Sequence, residues 1–400
     1  MHGRDTPARP PQPLVGRRIW FVGIGGAGLS AYAFLAQAWG AEVGGWDRVE
    51  TPYLRGLAGI DIELASEPVV PDGWEVVVST AYAGRADGRP RAEFLAELVS
   101  LAPSIVVAGA HGKTTTSGMI AFVLAELGRD PSWLIGGEVP QLGRNAGAGS
   151  GWLVVEGDES DRTVELLRPR IAVLTNVELD HHSTFASAAE VRELFDAWLE
   201  NVPEVVRGEE LEPVGFELAV PGEHNRRNAA AALAALELAG VPRAEAEPVL
   251  ASFRGIGRRF ELVGEARGVT VVDDYAHHPA EVAATIAAAR ERGVDSRVVV
   301  LFQPHLYSRT RHLAHEFGRA LSAADAVCVA DVYPAREQPV TGVTGKLVVD
   351  ALRPGLRAAW APGLDDAVTI LRSWIRPGDL VLTLGAGDVD RAGRALLETL

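Results

Sequence analysis

Twice within its first 127 residues the chain runs a short apolar strand into a glycine-rich turn and on into an Ala/Leu-rich helix. Ile19-Trp20-Phe21-Val22 leads into Gly23-Ile24-Gly25-Gly26-Ala27-Gly28, and Ile105-Val106-Val107-Ala108 leads into Gly109-Ala110-His111-Gly112-Lys113-Thr114-Thr115-Thr116. A strand whose chain returns through a helix is the repeating unit of a parallel sheet, so the pattern selects an α/β architecture. The alternation persists. Strands are expected over 18–22, 42–45 and 75–79, again from 104, and over 269–272, 297–301, 326–330 and 379–384. Helices are expected over 29–39, 116–127, 280–292 and 311–321. Three α/β units in succession, each opening on a strand, place domains at 1–102, 103–254 and 255–400.

Composition narrows the partners. With 47% hydrophobic and 23% charged residues in 400, the chain has apolar material for several cores. Its single cysteine, Cys328, excludes a disulfide framework and disfavours a cysteine-built zinc site. Apolar runs are strand-sized, far short of the ~20 residues that span a bilayer. The first eighteen residues are rich in Pro and Arg with no apolar stretch, which reads as a frayed leader on a cytoplasmic protein. A net charge of -15 repels a nucleic-acid backbone, and it repels nucleotides at long range too. A phosphate site here must therefore work locally, through backbone N–H groups, single cations and metal ions. Of the 38 basic residues only Lys113 and Lys346 are lysines. A lysine kept at a motif position in so arginine-rich a chain points to a need for a compact ammonium that a planar guanidinium cannot imitate.

Residues 109–116 have the strand-before, helix-after setting of a phosphate-binding loop, although position 107 is Val where the general pattern has glycine. Gly109, Ala110, His111 and Gly112 would cradle phosphates, Lys113 would reach the terminal ones, and Thr114 or Thr115 would face Mg²⁺. Two further strands end in metal-competent groups: Val154-Val155 in Glu156-Gly157-Asp158-Glu159-Ser160-Asp161, and Leu174 in Thr175-Asn176 through Asp180-His181-His182. The first glycine turn by itself usually means a dinucleotide cofactor, with Asp47 at the end of the next strand placed to hold a ribose. Further clusters stand at Pro221 to Asn228, Arg258 to Glu261, Asp273 to Pro279 and Phe302 to Arg311. Seven of the ten histidines (111, 181, 182, 224, 277, 278 and 305) fall within these clusters. The arginines that open the expected helix near 311 oppose its dipole, a hint of an anionic ligand there.

In this order the motifs resemble the Mur ligase family. The matching segments are FVGIGGAGLS, AGAHGKTTT, VVEGDESD, LTNVELDHH, PGEHNRRNAAAALA, GRRFE, VVDDYAHHP, FQPHLYSRT and DVYPAREQPVTG, and they cover nearly the whole chain. The resemblance implies a Rossmann-like N-terminal domain for a UDP-sugar, a central P-loop ATPase domain with a mostly parallel sheet, and a Rossmann-like C-terminal ligase domain. It also implies ATP-dependent joining of L-alanine to the lactyl carboxylate of UDP-N-acetylmuramate through an acyl phosphate. Lys113 would then meet the phosphates, Thr114 and Glu156 would hold one Mg²⁺, and His181 a second near the substrate carboxylate. His224 and Asn225 would meet adenine, while Arg259 and Asp274 would reach phosphate and ribose. Gly25, Gly26 and Gly28 would hold the UDP diphosphate, with Asp47, placed to hold a ribose, beside them in the substrate-binding set. Tyr275, His277, His305 and Arg309 would frame the muramic acid and amino-acid end, with His277 and Arg309 counted as catalytic beside Lys113, Glu156 and His181.

Sister branches of the family use a carbamoylated lysine in the central domain. No lysine but Lys113 precedes position 346, so the chain resembles the branch that needs none. Rival readings are a recycling ligase that attaches a ready-made peptide to the same UDP-sugar, a non-catalytic nucleotide-sugar binder, and an NAD-dependent oxidoreductase that would leave the phosphate loop without a role. Departures from the family pattern are a segment of only 41 residues between His182 and His224, a shortened stretch at Ala83 to Pro90, and Leu306 where an arginine usually stands.

Overall fold

The computed structural model describes residues 12–179, 184–293, 295–335 and 337–400. The chain divides into two compact units, Met1–Phe216 with Arg227–Phe253, and Glu217–Arg226 with Arg254–Leu400. Among the described residues, three sheets carry the α/β architecture, two in the first unit and one in the second.

The first sheet contains β1 (Arg18–Val22), β2 (Glu42–Asp47), β3 (Asp61–Leu64), β4 (Glu75–Val78) and β5 (Arg89–Pro90), in the order β3-β2-β1-β4-β5. All its neighbours are parallel. The shortened stretch ends in β5, which is only two residues long. Helix Ala27–Ala38 opens four residues after β1, and helix Arg91–Ser100 follows β5 directly. Phe94 of the second helix meets Phe21 of β1 edge-to-face at 5.5 Å. Both rings are fully buried, each worth roughly 1.5–3 kcal/mol of burial.

The second sheet contains β6 (Ser104–Ala108), β7 (Ser132–Val139), β8 (Arg144–Gly147), β9 (Leu153–Glu156), β10 (Ile171–Leu174) and β11 (Glu204–Arg207). Its order is β11-β10-β6-β9-β7-β8, parallel except for the β7–β8 pair. One continuous apolar core, from Leu14 to Val202, serves both sheets of this unit. Because β6 lies between β9 and β10, Val107 is level with Glu156 and Ala108 with Leu174. The phosphate loop and both polar strand ends thus emerge at one edge of one sheet, where open α/β sheets bind ligands. No described strand stands between β11 and helix Glu223–Leu238, in keeping with the short central segment.

The third sheet contains β12 (Glu261–Ala266), β13 (Val269–Asp274), β14 (Val298–Phe302), β15 (Ala326–Ala330), β16 (Arg357–Ala361) and β17 (Leu380–Leu384). Its order is β12-β13-β17-β14-β15-β16, with only β12 antiparallel. The last strand in sequence is thus held in the middle. Alternate residues feed two cores, Val272, Val300 and Leu382 on one face and Val271, Leu301 and Val381 on the other. This is why these strands read as unbroken apolar runs. No described helix is long and apolar enough to cross a membrane.

Candidate active site

The loop after β6 is folded by its backbone before any side chain acts. Gly109 has φ +125°, and a Cβ there would lie 2.3 Å from the Thr175 hydroxyl. Gly112 has φ +81°, with the Asn228 amide oxygen 2.4 Å from where a Cβ would stand. Only glycine fits either place. The end of β10 laces the loop down. Thr175 Oγ1 donates to the carbonyls of Ala108 and His111, and Asn176 both accepts from His111 N–H at 3.0 Å and donates to its carbonyl at 2.9 Å. Thr175 and Asn176, grouped by sequence with the metal-competent ends, spend these bonds on shaping the loop. His181, His182 and Asp180 lie outside the described residues.

Helix Lys113–Glu126 starts on the motif lysine. Its ammonium is 3.0 Å from Glu159 Oε2 and 3.2 Å from Oε1, and it also donates to the Gly109 and Ala110 carbonyls. Burial opposes the charge on Lys113, but the carboxylates of Glu159, Asp158 and Glu156 outweigh it and hold the pKa above the ordinary lysine value. Thr114 Oγ1 donates to Glu156 Oε2 at 3.0 Å, and Gly136 N–H donates to Oε1 of the same carboxylate at 2.6 Å. A hydroxyl beside a carboxylate next to a phosphate loop is a hard-oxygen pair suited to Mg²⁺.

The other acids of the Gly157 to Asp161 turn have separate tasks. Asp158 accepts from Ser160 N–H, and Asp161 accepts from Arg91 Nη2 at 2.8 Å and from Thr163 N–H. Arg91 also donates to Thr80 Oγ1, and its Nη1 lies 3.3 Å from where a Cβ on Gly28 would be. Glu159, Asp161 and Arg91 were not singled out from sequence. The two acids sat inside a motif that signalled acidity without dividing the labour, and Arg91 carried no local signal. At the first glycine turn, Asp47 Oδ2 accepts from Gly25 N–H at 2.8 Å and Thr51 Oγ1 donates to the Gly25 carbonyl. Asp47 is 6% exposed, so its carboxylate is occupied in fixing the turn.

The remaining predicted residues fall in the second unit. Asn225 donates to the Pro221 carbonyl at 2.7 Å. Burial holds His224 neutral, with its pKa pulled down to about 4. Asp274 accepts from the N–H groups of Phe260 and Ala276, both at 2.8 Å, and burial pushes its pKa up to about 6. Arg258 and Arg259 both lie over the Tyr275 ring, at 5.2 and 5.1 Å from its centre. Rings continue from Tyr275 to His277 at 5.3 Å, to His305 at 6.0 Å, and to Tyr333, stacked on His305 at 5.8 Å. These groups gather at the C-terminal ends of β13, β14 and β15. Tyr333 and Glu281, which reaches both His277 and Arg259, escaped the sequence reading.

Leu306 takes φ +72° and ψ 133°, a conformation strained for any branched residue. It is held there because its N–H donates to the Tyr333 carbonyl while Tyr333 N–H donates to the Pro304 carbonyl. The helix that follows begins at Tyr307, four residues before the expected start, because Glu337 accepts from Ser308 N–H and Oγ at its first turn. A carboxylate of the protein itself thus offsets the arginines there. Arg309 is 7% exposed on this helix.

His224 and Asp274 give opposite acid responses. A histidine with a lowered folded pKa loses stability as pH falls from 6.5 through 4, whereas an aspartate with a raised one gains stability as pH falls from 6 towards 3.8. Each is worth about 3 kcal/mol, and they largely cancel. Relative to the parent protein, His224→Gln should gain stability on acidification from about pH 6.5 to 4, and Asp274→Asn should lose it more steeply. Urea midpoints across that range measure both; parallel curves would remove the assignment.

Comparison with known proteins follows the same geography. Residues 107–206 match the Mur ligase middle domain, and residues 258–387 match the Mur ligase, glutamate ligase domain. The UDP-N-acetylmuramate--L-alanine ligase of Streptomyces coelicolor is 40% identical over 460 aligned residues, covering 98% of this chain and 99% of the relative. That of Rubrobacter xylanophilus is 40% identical over 448, covering 96% and 100%. Alignments this long for a chain of 400 reflect segments present in the relatives and missing here. In solved structures, the UDP-N-acetylmuramate-alanine ligase MurC of Thermotoga maritima superposes with a TM-score of 0.78 at 28% identity, covering 96% of this chain and 98% of that one.

Proposed function

The chain belongs to the Mur ligase family, and on that premise we propose that it is the ATP-dependent ligase that joins L-alanine to the lactyl carboxylate of UDP-N-acetylmuramate in peptidoglycan precursor synthesis. The observation that carries the chemistry is the pairing, on one glycine-shaped loop, of a buried ammonium at Lys113 with the Thr114–Glu156 oxygen pair. A carboxylate that attacks a triphosphate must overcome charge repulsion. A preorganised cation and a metal-binding pair are the groups that offset it.

In this reading the backbone of Gly109, Ala110, His111 and Gly112 seats the phosphates, with Thr115 in the first turn behind them. Lys113 leaves Glu159 for the γ-phosphate as the lactyl carboxylate attacks it. Mg²⁺, when bound, supplies further positive charge on the phosphate oxygens. Thr114 and Glu156 fit one ion as ligands, and by family resemblance His181 would hold a second. Gly25, Gly26 and Gly28 receive the diphosphate of the UDP-sugar, and Asp47 acts through the Gly25 amide that it holds. His224 and Asn225 take adenine, and Arg259 and Asp274 take phosphate and ribose. Tyr275, His277, His305 and Arg309 take the acyl and amino-acid end. The domain divisions at 102 and 254 belong to the same proposal, as does a cytoplasmic site of action, where ATP and the UDP-sugar are available.

Purified protein with Mg²⁺, ATP and UDP-N-acetylmuramate should release phosphate when L-alanine is added and should release little with a tripeptide in its place. The reverse preference would make it a recycling ligase. No release with either would leave a nucleotide-sugar binder, and chelation of Mg²⁺ should stop the reaction.

A further inference from the structure

Amide formation from an acyl phosphate needs an amine with an available lone pair, yet the amino group of an amino acid is an ammonium at neutral pH. Some group must take that proton, and the second unit holds a histidine built for it. His277 Nδ1 lies 3.0 Å from the Tyr275 carbonyl oxygen and 3.2 Å from Glu281 Oε2. Both neighbours are acceptors. Nδ1 must therefore carry the hydrogen, and the lone pair of the neutral ring is left on Nε2. Glu281 fixes this arrangement from two sides, because its Oε2 also accepts from the backbone N–H of His277 at 3.0 Å and of His278 at 3.2 Å. Its other oxygen faces Arg259 at 3.5 Å, and its side chain is 12% exposed. A carboxylate that sets the tautomer and orientation of an imidazole is the arrangement found behind general-base histidines.

We propose that His277 Nε2 is the base that deprotonates the incoming amine, and that Glu281 is the positioning residue that holds it ready. The inference rests on the ligase reading above. The ammonium of L-alanine gives one proton to Nε2, and the freed lone pair attacks the acyl carbon. The new C–N bond forms, the C–O bond to phosphate breaks, and the second proton leaves nitrogen with the departing group as hydrogen phosphate. Imidazolium then returns its proton to solvent. Among the described residues, Tyr275, Glu281 and His305 lie against the ring, with Arg259 behind Glu281.

The test separates the two halves of the reaction. Acyl-phosphate formation is followed as ADP–ATP isotope exchange that depends on UDP-N-acetylmuramate and needs no amino acid. Transfer is followed with L-alanine and, separately, with hydroxylamine, an amine already neutral near pH 7. With each rate taken relative to the variant's own exchange, which reports any loss of the acyl-end contact, transfer to L-alanine in His277→Ala should fall about 100-fold while transfer to hydroxylamine should fall no further than the exchange itself. Glu281→Gln keeps an oxygen for the two backbone N–H groups and removes the charge, so it should repeat the pattern with about a tenfold loss. Unchanged transfer to L-alanine, or equal loss with both amines or in the exchange itself, would overturn the assignment. Absence of exchange in the parent protein would overturn the ligase reading, and this inference with it.

Discussion

Replacing Lys113 by methionine is expected to lower ATP-dependent phosphate release by about 10³-fold or more, because no other group near the loop supplies a mobile ammonium for the transferring phosphoryl group. Binding of the UDP-sugar, measured by calorimetry, should change by less than about twofold, since the first glycine turn belongs to a different sheet. The same substitution has a structural consequence. Glu159 is 2% exposed and meets the ammonium with both oxygens. Removing a cation from a buried carboxylate destabilises by up to about 3 kcal/mol. Adding Glu159→Gln should therefore restore most of the lost stability while activity stays absent. Denaturant midpoints and turnover, read on the same three proteins, separate the two roles. Substantial turnover in Lys113→Met would remove the proposed phosphate contact.

Much of the first unit could be read in the sequence because its chemistry is local. A phosphate loop needs its glycines, lysine and threonine within one turn, between one strand and one helix, and residues 104–126 have that form. The tasks of the acidic turn after β9 were not legible. Whether Glu156 meets Thr114, Glu159 meets Lys113 or Asp161 meets Arg91 depends on β9 lying beside β6, and strand order is a long-range property. The same holds for Glu337, which starts a helix whose first residue is thirty positions earlier in the chain. Asp47 shows a different limit. Its place at the end of β2 suits a ribose contact, and only coordinates reveal that the carboxylate is engaged by Gly25. Strand β7 has its apolar pattern interrupted by two glycines, one of them (Gly136) lending its N–H to Glu156, and the four residues of β8 include Arg144 and Asn145 and form no apolar run.

The strained leucine at 306 connects a sequence departure to this geometry. A residue at φ +72° stays there only if its surroundings insist, and the two backbone bonds to Tyr333 do so while placing the His305 ring against the Tyr333 ring. The backbone at 306 is thus held by contacts that do not involve its own side chain.

Arg258 should prove the residue on which the second unit depends most for stability. Its guanidinium donates to Asp273 Oδ2 at 2.9 Å and to the carbonyls of Gly387 and Gly385 at 2.9 and 2.8 Å, tying the loop before β12 to the turn after β17. Asp273 is 2% exposed, and its other oxygen accepts from Thr383 Oγ1 at 2.6 Å. Arg258→Met would leave a buried carboxylate without its cation and two carbonyls without their donors, a loss of about 4 kcal/mol. Lysine at this position should recover little, since one ammonium cannot reach three acceptors set out for a planar fork. The sign of the pH response identifies the cause. Burial already holds the Asp273 pKa above the ordinary carboxylate value in spite of Arg258 and Thr383, and removing the arginine raises it further. A carboxyl with a raised folded pKa contributes stability at low pH that is lost as pH rises, so the deficit of Arg258→Met should shrink on acidification. Asp273→Asn added to Arg258→Met should lessen the deficit at neutral pH and flatten its pH dependence, since the amide oxygen still accepts from Thr383. A deficit that stayed constant with pH would assign the loss to the glycine-turn carbonyls alone.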